Sequence, residues 1–110
     1  MARQGDALLG TLDLLILRTL ASRGALHGYA IAATIQQASA DALRVEEGSL
    51  YPALHRMEKA GWLRAAWRTT ETKRRARVYA LTSKGARQLD TAERQWTRVA
   101  AGVARLLKQV

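Results

Sequence analysis

The chain of 110 residues contains no cysteine, which excludes disulfides and thiolate metal sites and fits a cytoplasmic protein. Histidine is almost as scarce. His27 and His55 stand far apart, an arrangement that disfavours a zinc site. There is no paired-acid motif, no glycine-rich phosphate loop and no credible nucleophile–base–acid triad, so the residues give no ground for an enzyme and call for no cofactor. Long apolar runs are missing too. The leucine-rich stretch LLGTLDLLILRTL is broken by Asp13 and Arg18, which makes it too short and too charged to span a bilayer. It also lacks the small-residue cleavage pattern that follows a signal peptide's apolar stretch. It reads as a core helix, and no membrane partner is expected.

What the chain does have is positive charge, unevenly placed. Eighteen Lys and Arg stand against nine Asp and Glu, for a net charge of +9. Residues 41–60 carry three basic and four acidic side chains, whereas residues 61–87 carry eight basic and one acidic. Most of the excess therefore sits in one stretch, around KRRAR. A concentrated basic segment on a small domain points to a polyanionic partner, nucleic acid first. A solvated basic face kept for solubility is the competing reading, and the local block weakens it.

Periodicity and cap signals predict four helices. The first runs from about Thr11, as cap, to Ser22. Leu12, Leu15, Ile16 and Leu20 form one stripe and Leu14, Leu17 and Ala21 extend the apolar surface around the other side. A helix apolar nearly all round is buried on several sides, so a second subunit or a long partner helix is expected to supply part of its cover. The second helix runs from His27-Gly28 to about Ser39. The third spans roughly Glu47 to Ala60, with Leu50, Leu54 and Met57 inward and Gly61 as its stop. Two β-compatible segments follow, WLRAAW and ARVYALT, joined by the polar, basic RTTETKRR. They predict a hairpin with an exposed tip. Thr82 caps a last helix from Ser83 to about Leu107.

Three helices, a hairpin and a closing helix make a winged helix-turn-helix arrangement. The fold class is α+β, mainly α, with residues 1–82 as the winged helix-turn-helix domain and 83–110 as a C-terminal dimerisation helix. In such proteins the second helix of the motif presents side chains to base edges in the major groove. Here that is the third helix, whose outward face collects Ser49, Tyr51, Pro52, His55, Arg56 and Lys59. Pro52 is the only proline. In a helix starting near Glu47 it leaves the Gly48 carbonyl without its partner, and its ring offers a flat apolar surface to a thymine methyl. Alternatively it lies in the first turn, where proline is tolerated. Arg56 and Lys59 are candidates for phosphate or guanine contact. His55 fits that role or a solvated surface, and Tyr51 competes as a partial core aromatic. In the hairpin Lys73, Arg74, Arg75 and Arg77 form a flexible basic loop suited to a minor groove or to phosphates, with Arg77 alternatively part of the strand.

Along the last helix, Leu89, Ala92, Trp96, Val99, Val103, Leu106 and Val110 follow alternating steps of three and four. That is a heptad seam sustained over three heptads. It supports a homodimer, the alternative being a helix packed on its own domain.

The stretches LLGTLDLLILRTL, HGYAIAATI, EEGSLYPALHRMEKAGWL and RRARVYALTSKG together resemble the PadR family of bacterial transcriptional regulators, from about Leu8 to Trp96. The resemblance implies a winged-helix DNA-binding domain, a homodimer formed by the C-terminal helix, and repression of neighbouring genes from a palindromic operator in double-stranded DNA. It places Tyr29, Ser49, Tyr51 and Pro52 at positions associated with DNA contact and Lys73 to Arg75 in the wing. The chain fits the variety with a single dimerisation helix. The resemblance also implies relief by a small molecule or another signal. Trp96 in the seam could form a wall for a small aromatic effector at the dimer interface, or simply fill a dimer core. Two other functions fit the same residues: a winged-helix protein–protein adaptor with an acidic partner, and sequence-neutral DNA packaging.

Overall fold

The computed structural model describes residues 4–109, the side chains of residues 4–10 excepted. The elements run α1 (Gln4–Arg23), β1 (Leu26–His27), α2 (Gly28–Ala38), α3 (Glu47–Lys59), β2 (Leu63–Thr69), β3 (Arg75–Leu81) and α4 (Ser83–Gln109). This is the mainly helical winged-helix arrangement that the sequence predicts. Two details differ. α1 begins at Gln4, so Thr11 lies inside the helix and is not its cap. A strand, β1, was not expected. It is only two residues long and pairs antiparallel with β3, Leu26 opposite Tyr79 and His27 opposite Val78, giving a three-stranded sheet in the order β1-β3-β2.

The hairpin register places Leu63 opposite Leu81, Ala65 opposite Tyr79 and Trp67 opposite Arg77. The strands claim Arg68, Thr69 and Arg75, which leaves a turn of residues 70–74 rather than a loop of eight. That turn is internally bonded. The Thr70 N–H donates to the Arg74 carbonyl at 2.7 Å, the Lys73 N–H to the Thr70 carbonyl at 2.9 Å, and the Arg74 N–H to Thr70 Oγ1 at 3.2 Å. Lys73 sits in the left-handed region at φ 61°.

One core holds these elements together. Leu12, Ile16, Leu17 and Leu20 of α1 meet Ile31 and Ile35 of α2, and Leu50, Ala53, Leu54 and Met57 of α3. Leu63, Tyr79 and Leu89 close it from the sheet and α4. α1 is thus covered on most sides by its own chain, with Leu14 and Leu15 only partly buried. Burial raises the pKa of the Tyr79 phenol above its ordinary value, favouring the neutral form in the core. α3 ends at Gly61, φ 84°, where the Trp62 N–H returns to the Met57 carbonyl at 3.0 Å and the Gly61 N–H to the Glu58 carbonyl at 3.0 Å. This left-handed stop turns the chain sharply into the wing.

The turn from sheet to α4 depends on Thr82 and Gly85. Thr82 Oγ1 accepts from the Gly85 N–H at 3.0 Å, which makes Thr82 the cap that the sequence predicts, and donates to the Gly61 carbonyl at 2.6 Å. A Cβ on Gly85 would lie 2.1 Å from the Trp62 carbonyl oxygen, so only glycine lets α4 start against this segment. Beyond the Arg18–Glu93 ion pair, the described α4 side chains are exposed, Ala100 apart. The 27 residues of α4 amount to ~40 Å of helix, within a molecule 55 Å long and under 30 Å in its other dimensions.

Candidate nucleic-acid interface

α3 starts at Glu47, with Glu46 as its N-terminal flanking residue. Pro52 therefore lies in the second turn, not the first, and the Gly48 carbonyl is the one that loses its intrahelical donor. At 100° per residue, with Leu50, Ala53, Leu54 and Met57 inward, the direction opposite the core belongs to Gly48, Pro52, His55 and Lys59. The last three are exposed side chains on a continuous ridge, and nothing approaches Gly48 on its Cβ side within 4 Å.

The residues flanking this ridge have partners inside the molecule. Tyr51 leans on the start of α2. A Cβ on Gly28 would meet its ring at 2.8 Å and its hydroxyl oxygen at 2.9 Å, so glycine at 28 is what lets the ring lie there. Tyr51 is thus both a packed aromatic and a half-exposed one. On the same side Arg77 of β3 reaches Glu58 of α3 at 2.7 Å. On the other side Arg56 donates to both carboxylate oxygens of Asp13 in α1, at 2.6 and 2.9 Å. The hydrogen bond to Asp13 raises the Arg56 pKa above its ordinary value, against an opposing effect of burial. Ser49 is exposed beside a small groove that α3 shares with Thr11 and Leu15 of α1 and residues 43–46.

α2 contributes Tyr29, 74% exposed. His27 precedes α2, and its Nδ1 accepts the Ala30 N–H at 3.3 Å, capping the helix. The His27 and Tyr29 rings stack with centroids 6.4 Å apart. A groove of about 550 Å³ separates Tyr29 and Gln36 of α2 from Glu47, Gly48 and Tyr51 of α3. A second, of about 850 Å³, runs from His27 and Tyr29 to Arg68, Arg74 and Arg75 of the wing.

On the wing, Lys73, Arg74 and Arg75 are exposed at the turn or beside it. Arg77 belongs to the strand. The guanidinium of Arg75 lies 5.2 Å from the Trp67 ring centroid and that of Arg77 5.9 Å, so the tryptophan holds two cations on one face of the hairpin. Sequence reasoning missed Asp13, Glu58, Trp67 and the paired roles of His27 and Gly28. All five lie in stretches already singled out, but nothing local in those stretches names their partners.

The seam residues of α4 divide. Leu89 is buried in the chain's own core and Ala92 is partly covered, while Trp96, Val99, Val103 and Leu106 are 49–59% exposed. Val110 lies outside the described residues. Between α1, α2 and α4 opens a groove of about 460 Å³ lined by Leu14, Leu15, Ile35, Leu43 and Trp96, with the Arg18–Glu93 ion pair (3.1 Å) at its edge. Among the described residues no helix is long and apolar enough to cross a membrane.

Residues 16–91 match the model of the transcriptional regulator PadR-like family. The chain belongs to that family. Its fold closely follows a transcriptional regulator from Clostridium thermocellum, 27% identical, with a TM-score of 0.81 over 91% of this chain and 96% of that one. It also follows a PadR family transcriptional regulator from Eggerthella lenta, 31% identical, with a TM-score of 0.77 over 94% and 88%. An uncharacterized protein from Lysinibacillus sphaericus is 26% identical over 96 residues, 87% of each chain. The protein is therefore a PadR-family transcriptional regulator, and the ridge, the Tyr29 edge and the basic wing are where a DNA-binding surface is to be sought.

Proposed function

We propose that the regulator acts as a homodimeric repressor that binds a palindromic operator. The ridge of Gly48, Pro52, His55 and Lys59 enters the major groove. Tyr29, Ser49 and Tyr51 border it, and Lys73, Arg74 and Arg75 run along the adjoining phosphates or minor groove. The observation that carries this reading is the ridge itself: four residues of α3 point away from the core, with exposed Tyr29 and the basic wing turn on the same chain to flank a duplex. Proline on such a ridge removes a donor the helix could have used and leaves an apolar ring outward, a choice that suits contact with thymine methyls.

The dimer reading rests on the exposed half of the α4 seam. Four large apolar residues at heptad spacing on a projecting helix form the sort of contiguous stripe that monomers rarely leave to solvent. Two copies joined there would present two copies of α3, to be matched to half-sites one duplex turn (~34 Å) apart. Selection of bound sites from random duplex DNA tests the reading. The expected result is a palindrome preferred over random duplex by about a thousandfold or more. A binder with no such preference would instead be a packaging protein, and one with no duplex affinity an adaptor.

The groove beside Trp96 favours a further element of the reading, relief of repression by a small aromatic effector. Its walls are apolar, one is an indole, and it touches both α1 and the dimerisation helix. A compound seated there would change the angle between α4 and the body, and with it the half-site spacing. Quenching of Trp96 fluorescence by planar aromatic compounds, together with loss of operator affinity, is the expected sign. Quenching without any change in operator affinity would count against it.

A further inference from the structure

α3 is held differently on its two flanks, and the α1 side carries the stronger device. Arg56 and Asp13 make a two-pronged pair in which Nη1 donates to Oδ2 at 2.9 Å and Nη2 to Oδ1 at 2.6 Å. The Asp13 side chain is only 16% exposed, that of Arg56 47%. Such a fork fixes the plane and direction of the guanidinium as well as its distance. A DNA phosphate recruiting Arg56 would have to displace a carboxylate already bound at both oxygens and leave Asp13 largely buried beside a second anion, an outcome disfavoured by desolvation and by repulsion together.

We propose that Arg56 is a positioning residue and not a DNA contact: through Asp13 it fixes the rotation of α3 about its own axis, and so decides which of Pro52, His55 and Lys59 meets the base edges. This rests on the reading of α3 as the helix that enters the groove. The geometry makes rotation matter. A roll of roughly 20° moves a side chain at the rim of a helix ~5.5 Å in radius by about 2 Å, more than a hydrogen bond to a base edge tolerates. Phosphate contacts made by flexible lysines and arginines survive such a shift. A loosened pair therefore costs discrimination between sequences before it costs affinity for DNA as such.

The test compares Arg56→Gln, Asp13→Asn, the two combined, and the charge swap Asp13→Arg with Arg56→Asp. Each is titrated against the selected operator and against random duplex over a range of salt, and each is melted to check the fold. Long-range electrostatics push the first two variants in opposite directions, since one removes a cation and the other an anion. Positioning pushes them the same way. The expected result is that each single variant lowers the operator-to-random affinity ratio by about tenfold, that the double variant is no worse than either single one, and that the salt slope stays at the wild-type value. The swap restores part of the ratio.

If Arg56→Gln weakens both duplexes alike and flattens the slope by about 0.9 per protomer, while Asp13→Asn leaves or raises affinity, Arg56 contacts phosphate and the proposal falls. Should the swap fail to fold, the two charge-neutralising single variants still decide. A wild-type protein without preference for any duplex would overturn the reading of α3 itself, an outcome distinct from failure of the pair alone.

Discussion

α1 and α4 both carry more apolar surface than one face of a helix needs, yet the two end up in opposite circumstances. In α1, Leu12, Ile16, Leu17 and Leu20 are buried by the chain itself, while Leu14 and Leu15 remain partly open at the groove. In α4, Leu89 joins the same core while Trp96, Val99, Val103 and Leu106 stand about half exposed. The difference is one of position in the molecule. α1 runs through the middle and is met by α2, α3, β3 and α4. α4 stays against the body as far as Glu93 and Trp96, and beyond them its described side chains are exposed, Ala100 apart. Periodicity tells where a helix is apolar; the surrounding topology decides whether the cover comes from within the chain or from a partner.

The comparison breaks most sharply at α4. Replacing Val99 and Val103 together by aspartate sets four carboxylates into the proposed dimer seam, where burying unpaired charge costs several kcal/mol. Sedimentation should show monomers and operator affinity should fall by orders of magnitude, with helical content largely kept. An intact dimer would mean that the exposed stripe serves another purpose. The matching change in α1, Ile16→Ala, acts on a side chain with no exposure at all. It should remove about 2–5 kcal/mol of stability and lower Tm by about 10 °C or more. The two classes separate by concentration: dimer-linked melting shifts with protein concentration in the wild type and loses that dependence in the aspartate variant.

This contrast also shows what a sequence can convey. α2, α3, the two wing strands and α4 were legible within about two residues, because their signals are local: Gly61 after α3, Thr82 before α4, and the three-four spacing of apolar residues. α1 was placed too late because Thr11 imitates a cap while lying inside a longer helix. β1 was missed because two residues carry no alternation, and their pairing depends on Val78 and Tyr79 some fifty residues away. For the site, the outward residues of α3 followed from helical geometry alone. Their partners did not. Asp13 with Arg56, Gly28 with Tyr51 and Glu58 with Arg77 are joined only by the fold, so residues that looked equally free in sequence separate into a ridge and its supports.

Gly28 offers the next largest effect, and it refines the contrast by acting between covered and open surface. Its missing Cβ is what allows Tyr51 to lie against α2. Gly28→Ala should push the ring outward at a cost of about 1–3 kcal/mol from overpacking, and operator affinity should drop by about tenfold with the dimer unaffected. Tyr51→Ala removes both the packing against Gly28 and the exposed part of the side chain. It should weaken operator binding at least as much, again without change in sedimentation. Wild-type operator affinity in both variants would remove the α2–α3 junction from the interface.

The smallest expected change concerns the tip of the wing, where residues 71–75 are all exposed. Lys73, Arg74 and Arg75 are exposed on a hydrogen-bonded turn, so replacing Arg74 and Arg75 by alanine should leave Tm nearly untouched. Arg75 also lies against Trp67, but an exposed cation–π contact contributes only about 0.5–1 kcal/mol. The effect should appear in the salt dependence of DNA binding, where each lost phosphate contact lowers the slope of log affinity against log salt by about 0.9. Affinity for operator and for random duplex should fall together, leaving their ratio intact. That pattern is the reverse of the one expected for the Asp13–Arg56 pair, where the ratio falls and the slope stays. An unchanged slope after loss of both arginines would mean that the wing's positive charge faces solvent and that the ridge of α3 binds without it.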